Sequence, residues 1–197
     1  MNVLKFGGTS VGSVESIRAV LDILKSRLDR QQPIAAVFSA MGGFTNQLLD
    51  MGQRAAAGEP YHEIFEKAKK RHFHIVDAFI EPRTRGAVTA GVFGLFNELE
   101  DVLRGISLLR EFSARTSDLV VSFGERLSTR LIYEILRAQG VACDYLDART
   151  VIKTDAHFGM ATVNFELTNR LIREHFDKTN ALQLITGFIA STERGET

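Results

Sequence analysis

The sequence has very little of what marks secreted and membrane proteins. It contains one cysteine among 197 residues, so an internal disulfide framework is excluded and a reducing cytoplasm is the simplest setting. No apolar run approaches the roughly 18 residues that a membrane-spanning helix needs. The first residues lack the hydrophobic region of a secretory signal. We therefore expect a cytoplasmic protein with no membrane partner.

The sequence also lacks an excess of either charge. Its 24 basic residues balance 24 acidic ones, which argues against a general nucleic-acid surface but leaves room for a local anion site. No metal site is expected, because His72 and His74 are two residues apart and do not share a helix face. We expect His62, His72 and His74 to be surface or partly packed residues, and the charged stretch 66–71 to be a solvated helix face. With 45% apolar residues, the chain can bury a substantial core.

Short apolar runs alternate with helical repeats along the chain. The runs at residues 3–6 and 34–38 each lead through glycine and small polar residues into a helix, at about 14–29 and from near residue 45. Such alternation predicts an α/β protein with a mostly parallel sheet. Further helices are predicted over about 63–80, 92–110, 118–138 and 167–176, and further strands over 141–146, 151–154 and 182–189.

The first candidate site follows the first predicted strand. Gly7 and Gly8 would present backbone N–H groups to an anion without a Cβ in the way, and Lys5 would add a positive charge. The pattern matches neither of the common glycine-rich nucleotide motifs. A plain glycine turn that reverses the chain is an equally good interpretation of these residues.

The second candidate site has the same design at the end of the next strand. Ser39 precedes a Gly-Gly pair, and Thr45 and Asn46 follow it. The carboxyl ends of neighbouring parallel strands meet at one edge of a sheet, where such sheets bind ligands. The alternative is that Thr45 or Asn46 simply caps the next helix.

The third candidate is a glycine inside a predicted helix. Gly124 costs about 1 kcal/mol there relative to alanine, so a ligand or another backbone should approach it closely. Glu125 beside it could bind an ammonium group. The alternative is a packing glycine next to a surface glutamate.

These residues carry a resemblance to the aspartate kinases. Lys-Phe-Gly-Gly-Thr-Ser-Val at residues 5–11 resembles their N-terminal signature, and residues 39–46 resemble their second loop. Residues 123–128 are similar to their substrate-binding Gly-Glu helix, and residues 187–189 to the strand before their nucleotide-side loop. The match runs in order along the whole chain. Residues 105–109 also resemble the forms fused to homoserine dehydrogenase.

The resemblance implies the amino-acid kinase (carbamate kinase-like) fold, a mostly parallel sheet sandwiched by helices. It implies phosphoryl transfer from ATP, with Mg²⁺ bound through the nucleotide, to the side-chain carboxylate of L-aspartate. By motif position, Lys5 would neutralise the transferred phosphate, and Gly7, Gly8 and Ser39 would hold phosphate oxygens. Thr45 and Glu125 would bind aspartate, with Glu125 on the α-amino group.

The resemblance also implies that residues 1–197 are the N-terminal part of a catalytic domain, with a helical insertion at about 58–117. The sequence ends before the Gly-Arg-Gly-Gly-Ser-Asp stretch and the adenine pocket of the family, so we expect the chain alone to be inactive and the full-length protein to be a homo-oligomer. Two alternatives stay open. One is a kinase for glutamate, acetylglutamate or UMP, and the other is a non-catalytic binding or assembly fragment.

Overall fold

The apolar runs of the sequence form strands, and the helical repeats form the helices between them. The computed structural model describes residues 2–29, 34–83 and 85–197. In chain order the elements are β1 (Asn2–Phe6), α1 (Val14–Asp29), β2 (Ile34–Phe38), α2 (Phe44–Ala57), α3 (His62–Phe79), α4 (Arg85–Leu109), α5 (Ala114–Ala138), β3 (Cys143–Leu146), β4 (Lys153–Thr154), α6 (Phe165–Phe176), β5 (Leu182–Thr186) and β6 (Ser191–Thr192).

Several element boundaries differ from the sequence prediction. Helix α4 begins at Arg85 rather than near residue 92, because its first turns are rich in glycine and lack a regular apolar repeat. Helix α5 begins after Ser113, whose side chain caps it by accepting from the Thr116 N–H. Strand β5 ends at Thr186, two residues before Phe188 takes a positive φ of 54°.

The main sheet has four strands in the order β1-β2-β5-β3, and every neighbouring pair is parallel. Phe6 is level with Phe38, and Phe38 with Thr186, so the carboxyl ends of the strands lie at one edge. A second, two-stranded sheet pairs β4 with β6 in parallel. This confirms the predicted α/β class and the parallel sheet.

One apolar cluster connects the sheet with the helices. Helix α5 packs against β2, β5 and β3, and also against α2 and α4. Its apolar face is fully buried and includes Phe123, Leu127 and Leu131. This packing carries the middle of α5, where Gly124 and Glu125 lie, to the loop after β2.

Helices α3 and α4 fill most of the segment predicted as an insertion. That this segment is an insertion relative to other members of the family stays a prediction. None of the helices in the described part of the chain combines the length and the apolar character that crossing a bilayer requires.

Candidate functional site

The two glycine loops that follow β1 and β2 lie directly against each other. The Gly42 N–H donates to the Gly8 carbonyl at 3.0 Å, and the Ser39 N–H donates to the Phe6 carbonyl at 3.0 Å. A Cβ added to Gly8 would lie 2.8 Å from the carbonyl oxygen of Ala40, which is closer than a real Cβ approaches. Gly8 is therefore required for the contact between the loops.

The first loop presents hydrogen-bond donors that the described protein leaves unused. Within residues 2–29, 34–83 and 85–197, the N–H groups of Gly7, Gly8 and Thr9 donate no hydrogen bond. Lys5 is exposed on β1, and its ammonium group makes no ion pair with any described residue. Unpartnered N–H groups beside a cation fit the oxygens of a phosphate group.

Helix α2 begins without a side-chain cap. Its N-cap residue is Gly43, which has a left-handed φ of 79°. Thr45 and Asn46 lie inside the first turn, and both are exposed. The interpretation that one of them caps this helix is therefore wrong, and the Thr45 side chain is free of that role.

Glu125 contacts the second loop from helix α5. Its Oε1 accepts from the Ala40 N–H at 3.2 Å. Burial raises the pKa of this carboxyl above its ordinary value, against the opposing effect of the Ala40 hydrogen bond. The interpretation of Glu125 as a surface residue is wrong, because the side chain is half-buried. A nearby ammonium group would favour its ionised form.

Gly124 is the reason that α5 can come so close to this loop. A Cβ added there would lie 2.6 Å from the Cβ of Ala40, which confirms the expectation that another part of the chain approaches this glycine. One turn further, the buried Ser128 donates its hydroxyl to the Ser39 carbonyl at 2.7 Å. Sequence reasoning missed Ser128, whose partner is 89 residues away.

The structure thus gathers the predicted site residues at one edge of the sheet. Lys5, Gly7 and Gly8 are at the end of β1, and Ser39 follows β2. Thr45 lies in the first turn of the helix that leaves the second loop, and Glu125 contacts that loop from α5. Their assignment to phosphate or to aspartate stays a prediction.

Arg71 belongs to this site, although the sequence predicted a solvated helix face for it. Its guanidinium donates to the Gly42 carbonyl and to the Gly12 carbonyl, each at 2.9 Å, and the side chain is half-buried. No local signal could have found this contact, because its partners lie 29 and 59 residues away in sequence.

The next residue, His72, is also not the surface or partly packed residue that was predicted. It is completely buried, and its Nδ1 is 2.8 Å from the Ala68 carbonyl. The carbonyl can only accept, so the neutral ring carries its proton on Nδ1. Burial lowers the pKa of His72 to about 4, which keeps it neutral at pH 7. Its position on the apolar face of α3 was the available signal.

Phe188 is a further residue whose position was not predicted. The Gly187 N–H donates to the Phe38 carbonyl at 2.8 Å, so Phe188 follows β5 immediately beside the second glycine loop. Its ring is fully exposed and its φ is +54°, a combination that is uncommon for an aromatic residue. Residues with an unfavourable backbone conformation cluster at active sites and ligand-binding positions.

The site fits phosphate oxygens better than a bare metal ion. Among the described residues, no cluster of three histidine, cysteine or acidic side chains is placed to hold a metal. The first loop offers N–H groups and a lysine ammonium, which bind anions.

The model of the amino acid kinase family matches residues 1–197, and the chain belongs to this family. It is 31% identical over 196 residues to aspartokinase 1, chloroplastic, of Arabidopsis thaliana, with 95% of this chain and 33% of that protein covered. It is 30% identical over 202 residues to lysine-sensitive aspartokinase 3 of Escherichia coli K12, with 99% and 42% covered.

A solved structure also resembles this chain. The crystal structure of E. coli aspartokinase III in complex with aspartate and ADP matches with a TM-score of 0.83 and 26% identity. The match covers 98% of this chain and 42% of that one. The chain thus spans about a third to two fifths of the length of these relatives.

Proposed function

We propose that this chain is the amino-acid-binding and phosphate-binding part of an aspartate kinase. The reaction transfers the terminal phosphoryl group of ATP to the side-chain carboxylate of L-aspartate and yields 4-phospho-L-aspartate and ADP. The observation that carries the proposal is the pair of interlocked glycine loops, with unused N–H donors on one side and the half-buried Glu125 on the other. We also propose that the full-length protein is a cytoplasmic, homo-oligomeric enzyme of the aspartate-derived amino-acid pathway.

The chemistry needs charge neutralisation more than proton transfer. The acceptor carboxylate has a pKa of about 3.9 and is already ionised at pH 7, so no general base is required. It must approach a polyphosphate of the same charge. In the proposed mechanism, Lys5 and the N–H groups of Gly7 and Gly8 offset that repulsion, and Ser39 holds a phosphate oxygen.

The remaining two residues orient the amino acid. The Oε1 of Glu125 is bonded to the Ala40 N–H, which leaves Oε2 for the α-ammonium group of the substrate. Thr45 lies in the first turn of α2, directly after the second loop, exposed and without a capping role, and offers its hydroxyl to the substrate. Binding one group on each side of the loop would hold the acceptor carboxylate in line with the phosphate.

The test is trapping of the acyl phosphate with hydroxylamine, with aspartate and glutamate in parallel. It is run on the 197-residue chain and on the full gene product that carries it. We expect aspartate-dependent product from the full gene product alone. Product with glutamate only would replace the substrate by another amino acid, and product with neither from a folded protein would contradict the assignment.

Two variants of the full gene product assign the roles. Lys5→Met should lower kcat by about 100-fold with little change in the KM for aspartate, because it acts on transferred charge. Glu125→Gln should raise the KM for aspartate by about tenfold or more, since it removes a charged partner of the ammonium group. Unchanged turnover for the first, or an unchanged KM for the second, would remove that residue from the site.

A further inference from the structure

Arg71 is placed to hold the two glycine loops together. Its Nη1 donates to the Gly42 carbonyl and its Nη2 to the Gly12 carbonyl, both at 2.9 Å. The two acceptors belong to different loops, which follow β1 and β2. A guanidinium group is suited to this bridge, because its planar fork offers two donors in a fixed geometry, whereas a lysine offers one point charge.

The Arg71 bridge restricts the backbone of the two loops, which their glycines would otherwise leave flexible. Gly7, Gly8, Gly12, Gly42 and Gly43 lie within the two loops, and glycine restricts the backbone least of all residues. Each carbonyl that is bonded to Arg71 fixes the orientation of one peptide plane. The Gly42 N–H is in turn committed to Gly8, so three hydrogen bonds join the loops into one unit.

Arg71 itself is held by the packing of its helix. The adjacent His72 is buried, with its ring centroid 4.8 Å from that of Phe44 in α2 and 5.2 Å from that of Phe96 in α4. A Cβ added to Gly12 would lie 3.3 Å from Arg71 Nη2, so the guanidinium group is in close contact with the first loop. Helix α3 thus holds the base of the Arg71 side chain, and the two loop carbonyls hold its guanidinium group.

We propose that Arg71 is a positioning residue for phosphoryl transfer, which joins the two glycine loops into one preformed phosphate cradle. This rests on the proposed function. Arg71 acts through the backbone of the loops: its bonds fix the Gly42 carbonyl in the second loop and the Gly12 carbonyl at the end of the first loop. This holds the two loops in place around the unused N–H groups of Gly7, Gly8 and Thr9. It should therefore affect turnover and nucleotide binding more than binding of the amino acid.

The test compares Arg71→Met and Arg71→Lys with Lys70→Met in the full gene product. Lys70 is the exposed neighbour on the same helix, so its variant removes the same charge without touching a loop. We expect Arg71→Met to lower kcat by about 10-fold to 100-fold, because small misplacements of catalytic groups have effects of that size. The KM for aspartate should change less than about threefold. Arg71→Lys should recover part of the loss, and Lys70→Met should behave as wild type.

Hydrogen–deuterium exchange of the same proteins provides a readout that does not depend on activity. Amides in residues 7–13 and 39–43 should exchange faster in Arg71→Met than in wild type or Lys70→Met, while those of β5 stay unchanged. An active wild type with a fully active Arg71→Met overturns the proposal, as does unchanged loop exchange. A wild type without kinase activity contradicts the proposed function instead, and the exchange result then still tests whether Arg71 joins the loops.

Discussion

The two halves of the carboxyl edge of the sheet use their polar groups in opposite ways. After β3, Asp147 and Arg149 form a two-pronged ion pair, with Nε 3.0 Å from Oδ1 and Nη2 2.6 Å from Oδ2. Lys153 donates to the Arg149 carbonyl and to the Ser191 hydroxyl. The cations of this half are therefore already paired within the protein.

After β1 and β2 the situation is reversed. Lys5 and the N–H groups of the first glycine loop have no partner within the described residues, and the loops are joined by backbone contacts and by Arg71. The comparison shows that the density of charged residues does not identify a site. The half that is richer in charge holds the structure together, whereas the half with few charges has donors left for a ligand.

The largest change in stability that we predict is caused by acid, which protonates the buried His72 on the helix that supports the glycine loops. Its pKa is about 4 in the folded protein and 6.5 when unfolded, so the unfolded state binds the extra proton first. Stability should fall as the pH drops from 6.5 to 4, by about 3 kcal/mol in all at about 1.4 kcal/mol per pH unit. Urea unfolding of wild type and His72→Gln at pH 7 and pH 4.5 measures it.

The control for acid is His74→Gln, which changes an exposed histidine two residues further along the same helix. We expect the difference in unfolding free energy between the two pH values to shrink in His72→Gln and to stay as in wild type in His74→Gln. Equal pH dependence in all three proteins would mean that His72 titrates normally and is not buried in solution.

The second prediction breaks the contact between α5 and the second glycine loop. Gly124→Ala places a methyl group 2.6 Å from the Cβ of Ala40, so the loop or the helix must shift. We expect a loss of about 1 to 3 kcal/mol from overpacking, reduced by the gain in helix propensity of up to about 1 kcal/mol. Chemical denaturation gives the net change.

The matched control is Gly94→Ala in α4, where a new Cβ meets no atom within 4 Å. This variant should gain up to about 1 kcal/mol, because only the propensity effect remains. If both glycines behaved alike, the close approach of Ala40 to α5 would be contradicted. The pair therefore separates a glycine that is needed for packing from one that is not.

The features of the fold and the site that could be predicted from the sequence are those that depend on residues close together in the chain or on the order of the strands. The bounds of α1 and β2 were predicted to the residue, because the Ser13 cap and the apolar spacing are local. The gathering of Lys5, Gly8 and Ser39 was also predictable, since neighbouring parallel strands end at the same edge.

The supports of the site could not be predicted in the same way. Arg71 and Ser128 reach loops 59 and 89 residues away. Ser128 is the last residue of the predicted 123–128 motif, but nothing in the neighbouring sequence indicates its partner, and nothing near Arg71 marks that residue at all. Arg71 stands in a charged stretch whose other members lie along a helix surface, so composition pointed to solvent. Long-range hydrogen bonds to backbone carbonyls leave no pattern that a single sequence reveals.

The smallest loss of stability should come from a change in the half of the edge that follows β3. Asp147→Asn keeps an oxygen that can accept from the Arg149 N–H but removes the charge that faces the guanidinium group. The two side chains are about one fifth exposed, so we expect a loss of about 1 kcal/mol in unfolding free energy. Burial acts to raise the pKa of Asp147, but the hydrogen bonds and the charge of Arg149 together outweigh it and hold the pKa below its ordinary value. The contribution is therefore present at pH 7 and lost as the pH falls below about 4.

Asp101→Asn is the matched control for this change, because Asp101 is exposed and lies 3.9 Å from Arg104 on the surface of α4. It should alter stability by no more than a few tenths of a kcal/mol. Neither variant should change the loop exchange rates that Arg71→Met increases. If Asp147→Asn raised the exchange rates of the glycine loops as much as Arg71→Met, the two halves of the edge would be coupled. The distinction between a half whose charges are paired and a half with donors left for a ligand would then be wrong.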